Sequence, residues 1–182
     1  MTDARATIPQ EIRMCAPRTF VFLVLVTLAA AALEVLGGQA APAGASRREF
    51  EAMLAKVDAA QLELQNGRAE PFKALWSRAD DITLSGGLGG RIEQGWEQIG
   101  PRLDWVATQF SKATHTNNRV VTNVGGDLGY VVQTEQIDYH VPGRAEGSTR
   151  EYRVTMIFRR ESGGWRIVHR QADSQTVKPS GR

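Results

Sequence analysis

Between residues 46 and about 110 the apolar positions recur at helical steps, and beyond Lys112 they alternate with polar ones. Phe50, Met53, Leu54, Val57, Ala60, Gln61 and Leu64 fall on one face at steps of three and four, which predicts a first helix. Ser46-Arg47-Arg48-Glu49 has the spacing of a capping box, so the helix is expected to open there. Asn66-Gly67 should stop it, because both tolerate the left-handed conformation of a helix end. Glu70-Pro71 starts a second, shorter helix that ends near Trp76-Ser77. Ile82-Thr83-Leu84 reads as a short strand ahead of the glycine-rich stretch 86–90. Gly95 to Phe110 reads as a third helix with Trp96, Ile99, Leu103, Val106 and Phe110 on its apolar side, and Pro101 marks either a kink or the true start.

Four period-two segments follow: Arg119–Val124, Leu128–Val141, Thr149–Arg160 and Trp165–Asp173. The short turns between them imply antiparallel pairing. Three N-terminal helices followed by a meander of long strands is an α+β pattern, with the helices grouped against one face of the sheet. Such a sheet, if strongly curved, leaves a cavity at its open end.

The first forty-five residues have another character. Segment 20–33, FVFLVLVTLAAAAL, is an unbroken apolar run. It falls short of the roughly 20 residues needed to span a bilayer comfortably. Arg13 and Arg18 precede it, and a small-residue stretch around Ala40, Ala43 and Ala45 follows. Together these describe a secretory signal over 1–45, with cleavage near 40–45, or alternatively a retained membrane anchor. Translation starts at Met1 or at Met14. The only cysteine, Cys15, lies before the apolar run, so the domain expected over 46–175 owes nothing to disulfides. Residues 176–182 read as a flexible tail. From residue 41 onward 19 Lys and Arg face 17 Asp and Glu, too balanced for a nucleic-acid footprint. A periplasmic or secreted location is expected, with no membrane contact once the signal is removed.

Asn66-Gly67, Pro71-Phe72, Leu75-Trp76, Ala79-Asp80-Asp81-Ile82-Thr83, Gly126-Asp127-Leu128-Gly129-Tyr130 and the closing Trp165-Arg166-Ile167-Val168-His169-Arg170 come in a telling order. The chain resembles the SnoaL-like and ketosteroid-isomerase-like branch of the nuclear transport factor 2-like superfamily from about residue 47 to 174. The resemblance implies a cystatin-like cone, three helices on a strongly curved, mostly antiparallel sheet. It also implies chemistry that this chain does not carry. The isomerase's carboxylate base would fall at Gly86, its oxyanion-hole aspartate near Met156 and its oxyanion-hole tyrosine near Leu62. Steroid-type enolisation by that route is therefore not expected.

Strand parity then nominates other groups. On the last strand Trp165, Ile167, His169, Gln171 and Asp173 share a face, and the apolar pair suggests that it is the inner one. On the second long strand Tyr130, Thr134, Gln136 and Asp138 share a parity by the same logic. These residues would line one pocket beside Met156. His169 is the general acid/base candidate, with Asp138 or Asp173 fixing its tautomer. Trp76, Asp81 and Trp96 are further candidates for ligand contact, although core packing and turn closure would account for them too. The 86–90 loop lacks the ending of a phosphate cradle, and no spacing resembles a metal site. No cofactor is implied.

The expected function is binding of a small, largely apolar molecule, with acid/base chemistry of isomerase, cyclase, dehydratase or hydrolase type. The alternatives are a non-catalytic carrier or sensor, and a homodimeric association module using Val131, Gln133, Glu135, Ile137 and Tyr139 as its outer face.

Overall fold

The computed structural model describes residues 43–174; the apolar run, most of the cleavage zone and the tail lie outside the described residues. Helix α1 (Ala43–Leu64) begins before the expected capping box, so Ser46 sits inside the helix instead of capping it. Ser46 and Glu49 serve the opposite end of the chain: Arg160 donates to the Glu49 carboxylate at 2.6 Å and to Ser46 Oγ at 3.4 Å. The predicted apolar stripe is buried as drawn, from Phe50 to Leu64 with Gln61 among them. Phe50 meets the edges of Phe158 and Trp165 at about 5 Å between ring centres.

Gly67, at φ 88°, ends α1 in the left-handed region, and the Gly67 and Arg68 amides cap the carbonyls of Leu64 and Glu63. Asn66 ties this corner to the sheet: its side chain accepts from the Ala113 amide at 2.9 Å and donates to the Ala113 carbonyl. Helix α2 (Glu70–Lys73) carries Pro71 in its first turn, where the missing amide costs nothing. Strands β1 (Thr83–Ser85) and β2 (Glu93–Gln94) flank the glycine loop. Helix α3 (Trp96–Ala107) runs through Pro101 and starts at Trp96, not at the proline.

The long strands are β3 (Ser111–Gly125), β4 (Leu128–His140), β5 (Gly147–Glu161) and β6 (Gly164–Asp173). With β1 and β2 they form one sheet in the order β2-β1-β6-β5-β4-β3, in which β1 and β6 alone run parallel. This is the expected α+β architecture: helices against one face of a six-stranded, mostly antiparallel sheet. β3 starts eight residues earlier than predicted. Its first half, Lys112 to Asn118, is almost wholly polar and reads as loop, yet Ala113, His115 and Asn117 turn inward against α1.

Two register features decide what faces the helices. β4 and β5 pair without interruption from Leu128↔Arg159 to His140↔Gly147. β5 and β6 do not: Phe158 pairs with Ile167, but Ile157 pairs with His169, leaving Val168 as an extra residue on β6. Such a bulge reverses the facing of every later residue on its strand.

A buried polar network beside an apolar cavity

The inner face of β4 is Val131, Gln133, Glu135, Ile137 and Tyr139, all buried. These are the residues expected on the outside, so that expectation is corrected. The outer face carries Tyr130, Thr134, Gln136 and Asp138, the residues expected to line the pocket. Alternation alone could not choose, because each parity of β4 mixes apolar with polar side chains; the helices chose the set containing Val131, Ile137 and Tyr139.

Glu135 is the centre of the inner face. It is fully buried, and its carboxylate accepts from Gln61 on α1 at 2.7 Å, Gln133 at 2.8 Å and Arg170 on β6 at 2.7 Å. Arg170 reaches it because the Val168 bulge turns residues 170 and 172 inward. A carboxylate this deep persists only when paired and hydrogen-bonded, and here both oxygens are occupied. One turn further along α1, Gln65 accepts from the Nδ1 of His115, whose other ring nitrogen meets the Asn117 amide oxygen. Asn117 in turn donates to Asp58 at 2.7 Å, and Asp58 pairs with Arg119. Polar contacts thus stitch the C-terminal half of α1, from Asp58 to Gln65, to β3 and β4 and through Glu135 to β6.

Beside this network lies a cavity of about 60 Å³. Leu64, Phe72, Leu84, Leu103, Val106 and Phe110 form its apolar wall. Gln61, Gln65, Tyr152, Arg102 and Arg170 supply the polar part, and no aspartate or glutamate lines it. Gly86, Gly87 and Leu88 close one side. A Cβ on Gly87 would stand 2.4 Å from the Tyr152 ring, so this lip can lie flat on the tyrosine only as glycine. The Tyr152 hydroxyl is buried and makes no hydrogen bond of ordinary geometry among the described residues. Burial pushes its pKa up, with the nearby Arg150 and Arg170 charges opposing, so the phenol keeps its proton. Gln61 Oε1, Arg102 Nε and Arg170 Nε are likewise buried without partners. Among the described residues no cluster of His, Cys, Asp or Glu is arranged to hold a metal ion.

The residues nominated from sequence sit elsewhere. His169 lies past the bulge on the outer face, its Nδ1 2.8 Å from Thr83 Oγ1, and partial burial lowers its pKa. Asp138 accepts from Thr149 at 2.6 Å on the same outer face, and Asp173 pairs with Arg153. Neither carboxylate is hydrogen-bonded to His169. Gln171 is exposed, and Thr134 and Gln136 border a shallow polar depression with Arg153. Trp76 and Met156 are core residues, and Trp76 packs on Phe72 at 6.3 Å. Trp96 caps the surface end of α3 beneath the Arg78 guanidinium, 3.2 Å from its ring centre. Asp81 pairs with Arg159, which holds its carboxyl below the usual range. Gly86 does line the cavity, without the carboxylate that the isomerase resemblance would put there, while Leu62 is part-exposed on α1. Of the groups missed from sequence, Gln61, Gln65, Glu135 and Tyr152 carried one available signal, a polar side chain on an otherwise apolar helix face or strand parity, whereas Arg170 carried none because only the Val168 bulge turns it inward.

The comparisons agree on the fold. The profile of the SnoaL-like domain matches residues 54–175. A nuclear transport factor 2-like superfamily protein from Salmonella enterica serovar Typhimurium superposes with a TM-score of 0.63 at 16% identity, covering 78% of this chain and 100% of its own. A type 2 hexachlorocyclohexane dehydrochlorinase gives 0.60 at 13% identity, covering 76% and 94%. A ketosteroid isomerase-like protein from Erwinia carotovora atroseptica gives 0.58 at 13% identity, covering 71% and 98%. No curated protein matches the chain.

Proposed function

The chain belongs to the SnoaL-like domain family, and from that premise we propose that it binds a small, largely apolar molecule between α1, α3 and the inner face of the sheet. One observation carries the reading: Tyr152, Gln61, Arg102 and Arg170, which line an otherwise apolar cavity, each hold a buried polar atom without a hydrogen-bond partner among the described residues. A buried polar group left unpaired costs about 1–3 kcal/mol, and a ligand oxygen would recover part of that. An apolar wall with a few convergent polar groups is the usual make-up of small-molecule sites.

Binding is favoured over acid/base turnover. Neither carboxylate behind the cavity wall lines it: Glu135 already accepts three hydrogen bonds and Glu93 faces Arg102 at 3.9 Å, while His169 stands on the far face of the sheet. Tyr152, held neutral by burial, is suited to donating a hydrogen bond to a ligand oxygen. The apolar run 20–33 supports an exported carrier or sensor in the cell envelope. Native mass spectrometry of the protein purified from its own envelope tests this. A retained small molecule that is lost from Tyr152→Phe, with the melting temperature unchanged, is the expected result; no retained molecule in the wild type counts against it.

A second reading concerns the other side of the sheet. Leu128 is 56% and Tyr130 39% exposed, and with Val132 and Ile157 they border a shallow apolar depression. We propose that a second copy covers it, giving a homodimer. Light scattering should report a dimer that Tyr130→Lys converts to monomer.

A further inference from the structure

Building on the cavity reading, the geometry points to a short-chain monocarboxylate as the ligand, held by Arg102. The wall carries two guanidinium groups and no acid, because Glu135 and Glu93 both stand behind it. The two arginines differ in how far they are satisfied. Arg170 is held by Glu135 at 2.7 Å. Arg102 comes no nearer than 3.9 Å to Glu93, beyond hydrogen-bond reach. Its Nη2 donates to the Gly89 carbonyl at 2.6 Å and its plane lies over the Trp105 ring, while Nε is buried and partnerless. Glu93 Oε2 is equally buried and partnerless, so the two charges balance each other without being joined.

A guanidinium offers five donors in a planar fork that matches a carboxylate, and few other groups would satisfy a fork so little used. A carboxylate at the Arg102 end would leave the rest of the molecule against Leu103, Val106 and Phe110. Size follows from the cavity. At roughly 10–15 Å³ per water, 60 Å³ holds about four to six waters, the bulk of an acid of about two to four carbons once its two oxygens are counted. The bond from Arg102 to Gly89 also fastens the 86–90 lip, so the residue that would hold the acid also holds the cavity wall.

Calorimetric titration of the full chain with propionate and isobutyrate, each against its own primary amide, tests the assignment. Each acid should bind about tenfold or more tightly than its amide, since shape is matched and only the charge differs. Arg102→Gln should remove that preference and Arg102→Lys should restore part of it. Glu93→Gln should strengthen acid binding about threefold or more and leave the amides unchanged, a response that a purely structural arginine would not give. Equal affinity for acid and amide, no acid binding at all, or a preference surviving Arg102→Gln would each overturn the inference. The cavity reading would still stand if the amides bind or a neutral molecule is retained from the envelope. It falls separately if neither the acids nor the amides bind and nothing is retained.

Discussion

Both faces of the β4–β6 sheet carry polar side chains, and they use them in opposite ways. On the outer face His169, Asp138 and Asp173 each bond a neighbouring strand residue, Thr83, Thr149 and Arg153, at the edge of solvent. On the inner face Glu135, Gln133 and Arg170 join one network with Gln61 and are sealed beneath α1. Exposed pairs exchange water for protein at little net gain, whereas sealed ones cannot be left half-made. Polarity near a pocket is therefore a poor guide to function until the facing is known. The catalytic-looking set stands on the face away from the cavity, and the set that resembles core stands beside it.

The contrast predicts its largest effect at Glu135. Glu135→Ala would strand Arg170 as a buried, unpaired charge and should cost about 3–5 kcal/mol in urea denaturation. Replacing both partners together, Glu135→Leu with Arg170→Met, should recover most of that loss, because an apolar pair of similar volume suits the same space. If the double variant is no better than the single one, the network is not a paired-charge unit.

Next in size is the lip. Gly87→Ala drives a methyl into the Tyr152 ring and should cost about 1–3 kcal/mol, read in the same denaturation curves. Tyr152→Phe should behave differently, changing stability by about 1 kcal/mol or less while weakening ligand retention. Its hydroxyl makes no hydrogen bond of ordinary geometry among the described residues, and its interaction with the nearby Arg150 is the one at stake. A large destabilisation by Tyr152→Phe would mean that the phenol is structural.

The outer face should give the smallest responses. Asp138→Ala is expected to change stability by no more than about 0.5 kcal/mol and to leave ligand retention untouched. His169 supplies a pH signature. Burial lowers its folded pKa below the ordinary 6.5, so the unfolded chain binds the proton more readily. Its contribution is fully present above about 6.5 and declines as pH falls from there through the folded value. His169→Asn should flatten that part of the melting-temperature profile and leave the neutral-pH affinity unchanged. A loss of ligand binding with His169→Asn would return the histidine to the functional site.

The order of elements was legible in the chain, because helical and strand periods are local properties. The buried stripe of α1, the helix end at Gly67 and the four long strands could all be read, as could the family likeness and the empty isomerase positions at Gly86, Met156 and Leu62. The capping box failed because Ser46 and Glu49 found a partner in Arg160, more than a hundred positions away. The start of β3 was missed because His115 and Asn117 turn inward only where Gln65 and Asp58 receive them.

What the sequence determined by itself, then, was an alternation, and an alternation has two solutions. The tertiary structure selected one of them on β4 by packing Val131, Ile137 and Tyr139 under the helices, which carried Gln133 and Glu135 inward with them. On β6 it used both in turn. One extra residue, Val168, keeps Ile167 in the core, sends His169 out and brings Arg170 in. Because the side-chain period is two, a single-residue slip exchanges the faces completely. A bulge is fixed by the strand it pairs with, so the chain that contains Val168 does not reveal it alone.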